Sequence, residues 1–151
     1  MARAALRPHA SAAWHHLPVP TSAPLSPELS PERPAGPAPS STWQIWFDGC
    51  ALPNPGRIGL GALLVSPQGK RIELSSPAGR SGCSNEAELI ALCAALEHAA
   101  GLGARHICIR GDSDFVVRHL RGEQRTAIAP LLELVVRTEA LLARFESVSL
   151  E

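Results

Sequence analysis

The sequence has no stretch approaching the roughly 18 consecutive apolar residues that a membrane-crossing helix requires, so no such span is expected. It also has no C-x-x-C pair. Its four cysteines, Cys50, Cys83, Cys93 and Cys108, show no zinc-ligand spacing, and Cys50 has no companion ligands. Cys93 and Cys108 sit in apolar runs, where a thiol behaves as a small hydrophobe. These absences point to a reduced, cytoplasmic chain rather than a disulfide or zinc scaffold. Net charge is missing too: 14 basic residues balance 14 acidic ones. That excludes a protein gripping nucleic acid by bulk charge alone, and leaves room for one that uses metal ions and a few local arginines. Lysine is almost absent, Lys70 being the only one, which reads as base-composition bias and carries no function. No internal repeat is visible.

What is present suffices for one domain. The chain has 151 residues with 45% hydrophobic content, enough for a single packed core. Residues 1–42 stand apart, holding nine of the 14 prolines among alanine and serine. Such a segment buries too little apolar surface to offset its ordering entropy and is expected to be disordered. Arg3 and Arg7 precede an acid-free stretch, as in targeting peptides, but no apolar region follows and Pro8 breaks the only amphipathic helix.

From Trp43 to the end at Glu151 the pattern is that of a folded domain. Trp43–Asp48 alternates and is aromatic-rich, which predicts a first strand. Residues 49–56 read as a Gly/Pro/Asn loop, 58–66 as a second strand, 67–69 as a turn and 71–74 as a short third strand. Short connections imply an antiparallel meander. Leu89, Leu92, Cys93, Leu96 and Ala100 repeat at helical spacing, with Gly101 as the stop. His106–Ile109 reads as a buried fourth strand. A helix is predicted from near Asp112 to near Gly122, and another after Pro130 with Leu131, Leu134, Val135, Leu141, Leu142 and Phe145 as its stripe. Val148–Leu150 begins a fifth strand. The result is an α/β sheet of mixed orientation, with strands one and four parallel across a crossover helix.

That topology sends Asp48 and Asp112 to the same carboxyl edge of the sheet, where α/β folds place their sites. Glu88 lies in the first turn of the crossover helix. Converging carboxylates repel one another, and hard divalent ions relieve that repulsion. Each acid also has a plainer role open to it: Asp48-Gly49 as a turn pair, Asp112 as a helix cap, Asn85 and Glu88 as a capping-box variant. Glu86 and Glu88 flank the apolar stripe equally, so periodicity does not choose between them.

Three blocks carry a resemblance. Phe47-Asp48-Gly49-Cys50, Asn54-Pro55-Gly56 and Gly59-Leu60-Gly61-Ala62 are similar to the D-G-S/C, N-P-G and G-x-G-A opening of type 1 ribonucleases H. Ser84-Asn85-Glu86-Ala87-Glu88-Leu89 resembles that family's N-N-x-x-E-L/Y helix start, with Ser84 in place of the first asparagine. Gly111-Asp112-Ser113-Asp114-Phe115-Val116 resembles its D-S-x-Y/L-V segment.

The resemblance implies a ribonuclease H-like fold, a mixed five-stranded sheet in the order 3-2-1-4-5 flanked by helices. It implies Asp48, Glu88 and Asp112 as catalytic metal ligands for Mg²⁺ or Mn²⁺. Glu86 then becomes a solvated partner and Asp114 an exposed second-turn acid. Gly49, Cys50, Asn54, Ser84 and Asn85 would line a groove that reads 2′-hydroxyls across a wide minor groove. Arg118, Arg121 and Arg125 are read as a solvated helix end, and His119 as a helix-face residue. The family's pattern continues into an N-x-x-A-D-x-L-A helix with a fourth carboxylate. The sequence stops before it, so the last helix is expected to be absent. The implied activity is two-metal hydrolysis of the RNA strand of RNA–DNA hybrids by a monomer with no membrane partner. The alternative is a relative that binds hybrid without efficient cleavage. A resolvase- or integrase-like core is disfavoured because their longer insertions are lacking.

Overall fold

The computed structural model describes residues 41–151, and the tail expectation for residues 1–42 falls almost wholly outside them. The element order is β1 (Thr42–Leu52), β2 (Gly56–Val65), β3 (Arg71–Gly82), α1 (Ser84–Gly101), β4 (His106–Arg110), α2 (Asp114–Leu120), α3 (Ala129–Leu142) and β5 (Ser147–Leu150). The sheet runs β3-β2-β1-β4-β5, as the resemblance implied. β1 pairs antiparallel with β2 and parallel with β4.

Two strands are longer than their residues advertise. The expected loop 49–56 shrinks to a turn at residues 53–55, because Gly49, Cys50, Ala51 and Leu52 continue pairing with Leu60, Gly59, Ile58 and Arg57. β3 runs on from Leu74 to Gly82 through Ser75, Ser76 and Pro77, residues of low strand preference held by the ladder to β2. Pro77 is tolerated since β3 is an edge strand.

The helices stand on one face. Ile45, Phe47, Leu60, Ala62, Leu64, Ile107 and Ile109 from the sheet join Leu89, Leu92 and Leu96 of α1, and Leu131, Leu134 and Val135 of α3. Each leucine buried this fully contributes ~1.5–3 kcal/mol. α1 is sandwiched between sheet and α3, so its apolar stripe widens to include Ala87, Ala91, Ala95 and Ala99, while Ala100 is only half-buried. Cys93 Sγ lies 3.2 Å from Thr138 Oγ1 across the α1–α3 seam, and Arg137 pairs with Glu97 beside it. α1 ends at Gly101, as expected. Leu102 closes the helix, and Gly103 at φ +81° supplies the left-handed residue. Phe145 is buried as expected, but from the turn after α3. On the other face Trp46, Leu63 and Val65 form a small separate cluster.

Candidate active site

The site forms where β4 gives out. The β1–β4 ladder ends at Trp46↔Arg110, while β1 continues to Leu52. Beyond Trp46, therefore, β1 has no strand on its β4 side. Asp48 lies on this stretch, and the loop from β4 to α2 carries Asp112 past it.

Two glycines set the approach of the neighbouring elements. A Cβ on Gly49 would sit 2.2 Å from the backbone carbonyl of Ala87, so α1 packs directly on the β1 backbone. That contact delivers Glu88, the next residue of α1, to the strand. A Cβ on Gly111 would meet the Phe47 ring at 2.5 Å, so the β4–α2 loop lies on that ring. Sequence reasoning missed Gly111; a glycine between a strand and its terminal acid was the available signal.

The carboxylates feel one another. Burial raises the pKa of Asp48, and the charge of Asp112 raises it further, with the Gly49 N–H working in the opposite direction. Glu88 is pushed up to about 8, first by burial, then by Asp48, then by Asp112, again moderated by the Gly49 N–H. Asp48 Oδ2 and Glu88 Oε2 are buried oxygens without a hydrogen-bond partner. Such atoms cost free energy unless something else satisfies them. Asp112 is exposed and belongs to neither strand nor helix. Among the described residues, no three His, Cys, Asp or Glu groups already stand close enough to close around an ion. Asp48 and Glu88 each keep one buried oxygen without a partner, and the charge of Asp112 acts on both. Unpartnered carboxylate oxygens are hard donors, and the pair fits a divalent cation such as Mg²⁺ or Mn²⁺.

The structure separates the two glutamates that periodicity could not. Glu86 Oε2 accepts the Cys83 N–H at 2.7 Å, and Oε1 accepts from Arg80 Nη2 at 3.1 Å. Those contacts hold its pKa down. Glu86 is thus not a solvated partner but the acid of a capping box on Cys83, which replaces the expected box of Asn85 and Glu88. Asp112 is likewise released from capping, because Ser113 caps α2 and accepts from the Val116 N–H at 3.4 Å. Asp114 falls in the first turn of α2, not the second, and pairs with Arg118. Arg125 pairs with Glu139. His119 is buried on α2, its Nδ1 2.7 Å from the Phe115 carbonyl.

The expected groove residues are placed unevenly. Gly49 is buried against α1, and Cys50, Ser84 and Asn85 are half-exposed. Asn54 is exposed at the β1–β2 turn, and its Oδ1 accepts the Ser84 N–H at 3.1 Å.

A family model described as reverse transcriptase-like matches residues 46–151. The chain belongs to the ribonuclease HI-like family. It is 37% identical over 105 residues to the ribonuclease HI of Halobacterium salinarum, covering 70% of this chain and 53% of that protein. The chain therefore spans about half the length of that relative. The crystal structure of ribonuclease H1 from the same archaeon superposes with a TM-score of 0.69, over 73% of this chain and 83% of that one. The N-terminal ribonuclease H domain of Rv2228c from Mycobacterium tuberculosis matches at 30% identity and TM-score 0.68, over 73% and 85% of the two chains. LC11-RNase H1, solved in complex with an RNA/DNA hybrid, matches at 25% identity and TM-score 0.65, over 72% and 83%. Family membership carries the ribonuclease H-like fold with it.

Proposed function

We propose that this domain hydrolyses the RNA strand of RNA–DNA hybrids, using Mg²⁺ or Mn²⁺ held by Asp48, Glu88 and Asp112. The observation that carries this reading is the pair of buried, unpartnered oxygens on Asp48 and Glu88 at the edge where β4 ends. LC11-RNase H1, a structural neighbour, takes an RNA/DNA hybrid, which supports the substrate class.

Asp48 and Glu88 are the fixed ligands, braced by the Gly49 N–H, and Asp112 completes the set from its loop. Bound divalent cations in such a site stabilise the attacking and leaving oxygens of a phosphodiester displacement. Water adds to phosphorus and the bond to the 3′-oxygen breaks, leaving a 3′-hydroxyl and a 5′-phosphate. Cys50, Asn54, Ser84 and Asn85 supply small polar groups beside the carboxylates for reading 2′-hydroxyls.

The test uses purified protein, a labelled RNA–DNA hybrid and Mg²⁺, beside Asp48→Asn. Cleavage by the native chain, reduced at least ~100-fold by the substitution, supports the proposal. Binding of the hybrid by both proteins with cleavage by neither overturns it in favour of a binding module.

A further inference from the structure

The sheet has two faces, and the helices stand on one of them. Side chains alternate along β1, so Ile45 and Phe47 point to the helices while Trp46 points away. Leu63 pairs with Trp46 across the β1–β2 ladder, and Val65 lies two residues further along β2. In β4, Cys108 stands between Ile107 and Ile109, both of which belong to the helical side. A sheet face this apolar has to be buried against another layer. It is buried: Trp46 is 7% exposed, Leu63 1%, Val65 0% and Cys108 4%. Yet among the described residues, no helix residue joins that cluster. Arg110, held by Gln44 and Glu151, lies 5.8 Å over the Trp46 ring, which shields the tryptophan but supplies no apolar layer.

We propose that residues 14–19, ahead of β1, form the layer over this second face, with Trp14, Leu17 and Val19 set against Leu63, Val65 and Cys108. The composition of residues 1–42 as a whole points to disorder, but this run differs from its surroundings. Trp14 is the only aromatic residue ahead of Trp43, with Leu17 and Val19 close behind it. Residues 8–27 contain no Lys, Arg, Asp or Glu, so no such charge loses its water when the run lies down. Leu17 and Val19 each precede a proline, which biases both to extended backbone, and extended residues two apart share a side. Pro18 and Pro20 have no N–H to leave unsatisfied on an apolar surface. Reach is ample, because the roughly 20 residues between Pro20 and Thr42 can span ~70 Å, against ~10 Å from β1 to an outer strand. β1, which the segment leads into, is the central strand of the sheet. A second copy of the domain is the other conceivable cover. The face is already buried within a single chain, however, which favours a segment of that chain.

The full chain carries its own probes, two buried cysteines on opposite sides of the sheet. Cys108 lies beneath the proposed cover and Cys93 in the α1–α3 seam. Alkylation by N-ethylmaleimide, followed cysteine by cysteine with mass spectrometry, compares the native chain with a Trp14→Ser, Leu17→Ser, Val19→Ser variant. In the native chain Cys108 and Cys93 are expected to react far more slowly than half-exposed Cys50 and Cys83. In the variant Cys108 should react at least about tenfold faster, as losing three apolar contacts from a local opening equilibrium predicts, while Cys93 stays protected. Native protection of Cys108 in the variant overturns the proposal, and so does a native chain in which Cys108 reacts as fast as Cys50. Protection of Cys108 that disappears on dilution of the native chain also overturns it, in favour of a second copy. If the variant exposes Cys93 as well, it has lost its fold, and the native chain decides. Nuclear Overhauser contacts from the methyls of Leu17 or Val19 to those of Leu63 or Val65 support the cover, and their absence overturns it.

Discussion

Glu86 and Glu88 lie two residues apart on α1 and meet opposite fates. Glu86 is satisfied by the Cys83 N–H and Arg80, and its pKa is lowered; Glu88 has a buried oxygen with no partner, and its pKa rises to about 8. Their glutamine variants should therefore fail differently. Glu88→Gln is expected to remove most hybrid cleavage with the fold intact. Glu86→Gln is expected to lower stability by ~0.5–1 kcal/mol, the scale of a weakened cap, and to retain cleavage. Thermal melts beside a cleavage assay check the pair. The raised pKa also has a sign. Glu88 holds its proton in the folded state up to pH about 8, whereas the unfolded chain releases it near the ordinary glutamate value of 4.5. Without divalent cations, stability from this group is full at acid pH and is lost as pH rises through 8. Melting temperature measured in chelator should fall over that range, and Glu88→Gln should flatten the fall. A melting temperature that climbs from pH 5 to 8 would contradict the burial assigned to Glu88.

At the level of elements, the close contact of α1 with β1 decides whether the acids meet. Gly49→Ala introduces a carbon 2.2 Å from the Ala87 backbone, a clash with main chain that no side-chain rotation relieves. It should cost a few kcal/mol, as overpacking does, and displace Glu88 from Asp48. A combined loss of melting temperature and cleavage is expected; native values for both would show that α1 does not rest on Gly49. The same elements show what was readable in advance. α1, α3 and the Trp43–Phe47 strand were legible because apolar period and aromatic content agree with the fold. The strand through Gly49–Leu52 was not, since glycine and proline nearby announce a turn, and only pairing with β2 overrides that signal. β3 beyond Leu74 was hidden for the same reason. The Cys83 box went unseen because cysteine is an uncommon cap residue, so the sequence pointed to Asn85 and Glu88 instead.

For the whole molecule, β1 and β4 are neighbouring parallel strands. Asp48 lies on β1 past the end of their ladder, Asp112 on the loop after β4, and the charges of both act on Glu88 of the crossover helix. The expectation that the three acids converge came from topology and from the three motif blocks together. The choice of Glu88 over Glu86 came from the resemblance, and its physical reason became visible only with the side-chain contacts. The helical layer lies against one face of the sheet, and α3 secures α1 through the Cys93–Thr138 contact and the Arg137–Glu97 pair. Of the three candidate carboxylates, Glu88 stands on α1, Asp48 on β1 and Asp112 on the loop between β4 and α2.

The most direct measurement is calorimetric titration of Mn²⁺ into the folded protein at pH 7 and again at pH 8.5, beside the Asp48→Asn and Asp112→Asn variants. Saturable uptake is expected in the native chain, tighter at the higher pH because the cation displaces a proton from Glu88, and weakened at least about tenfold by either substitution. No uptake by a well-folded native sample, or uptake indifferent to both substitutions, would contradict a cation site built on these three acids.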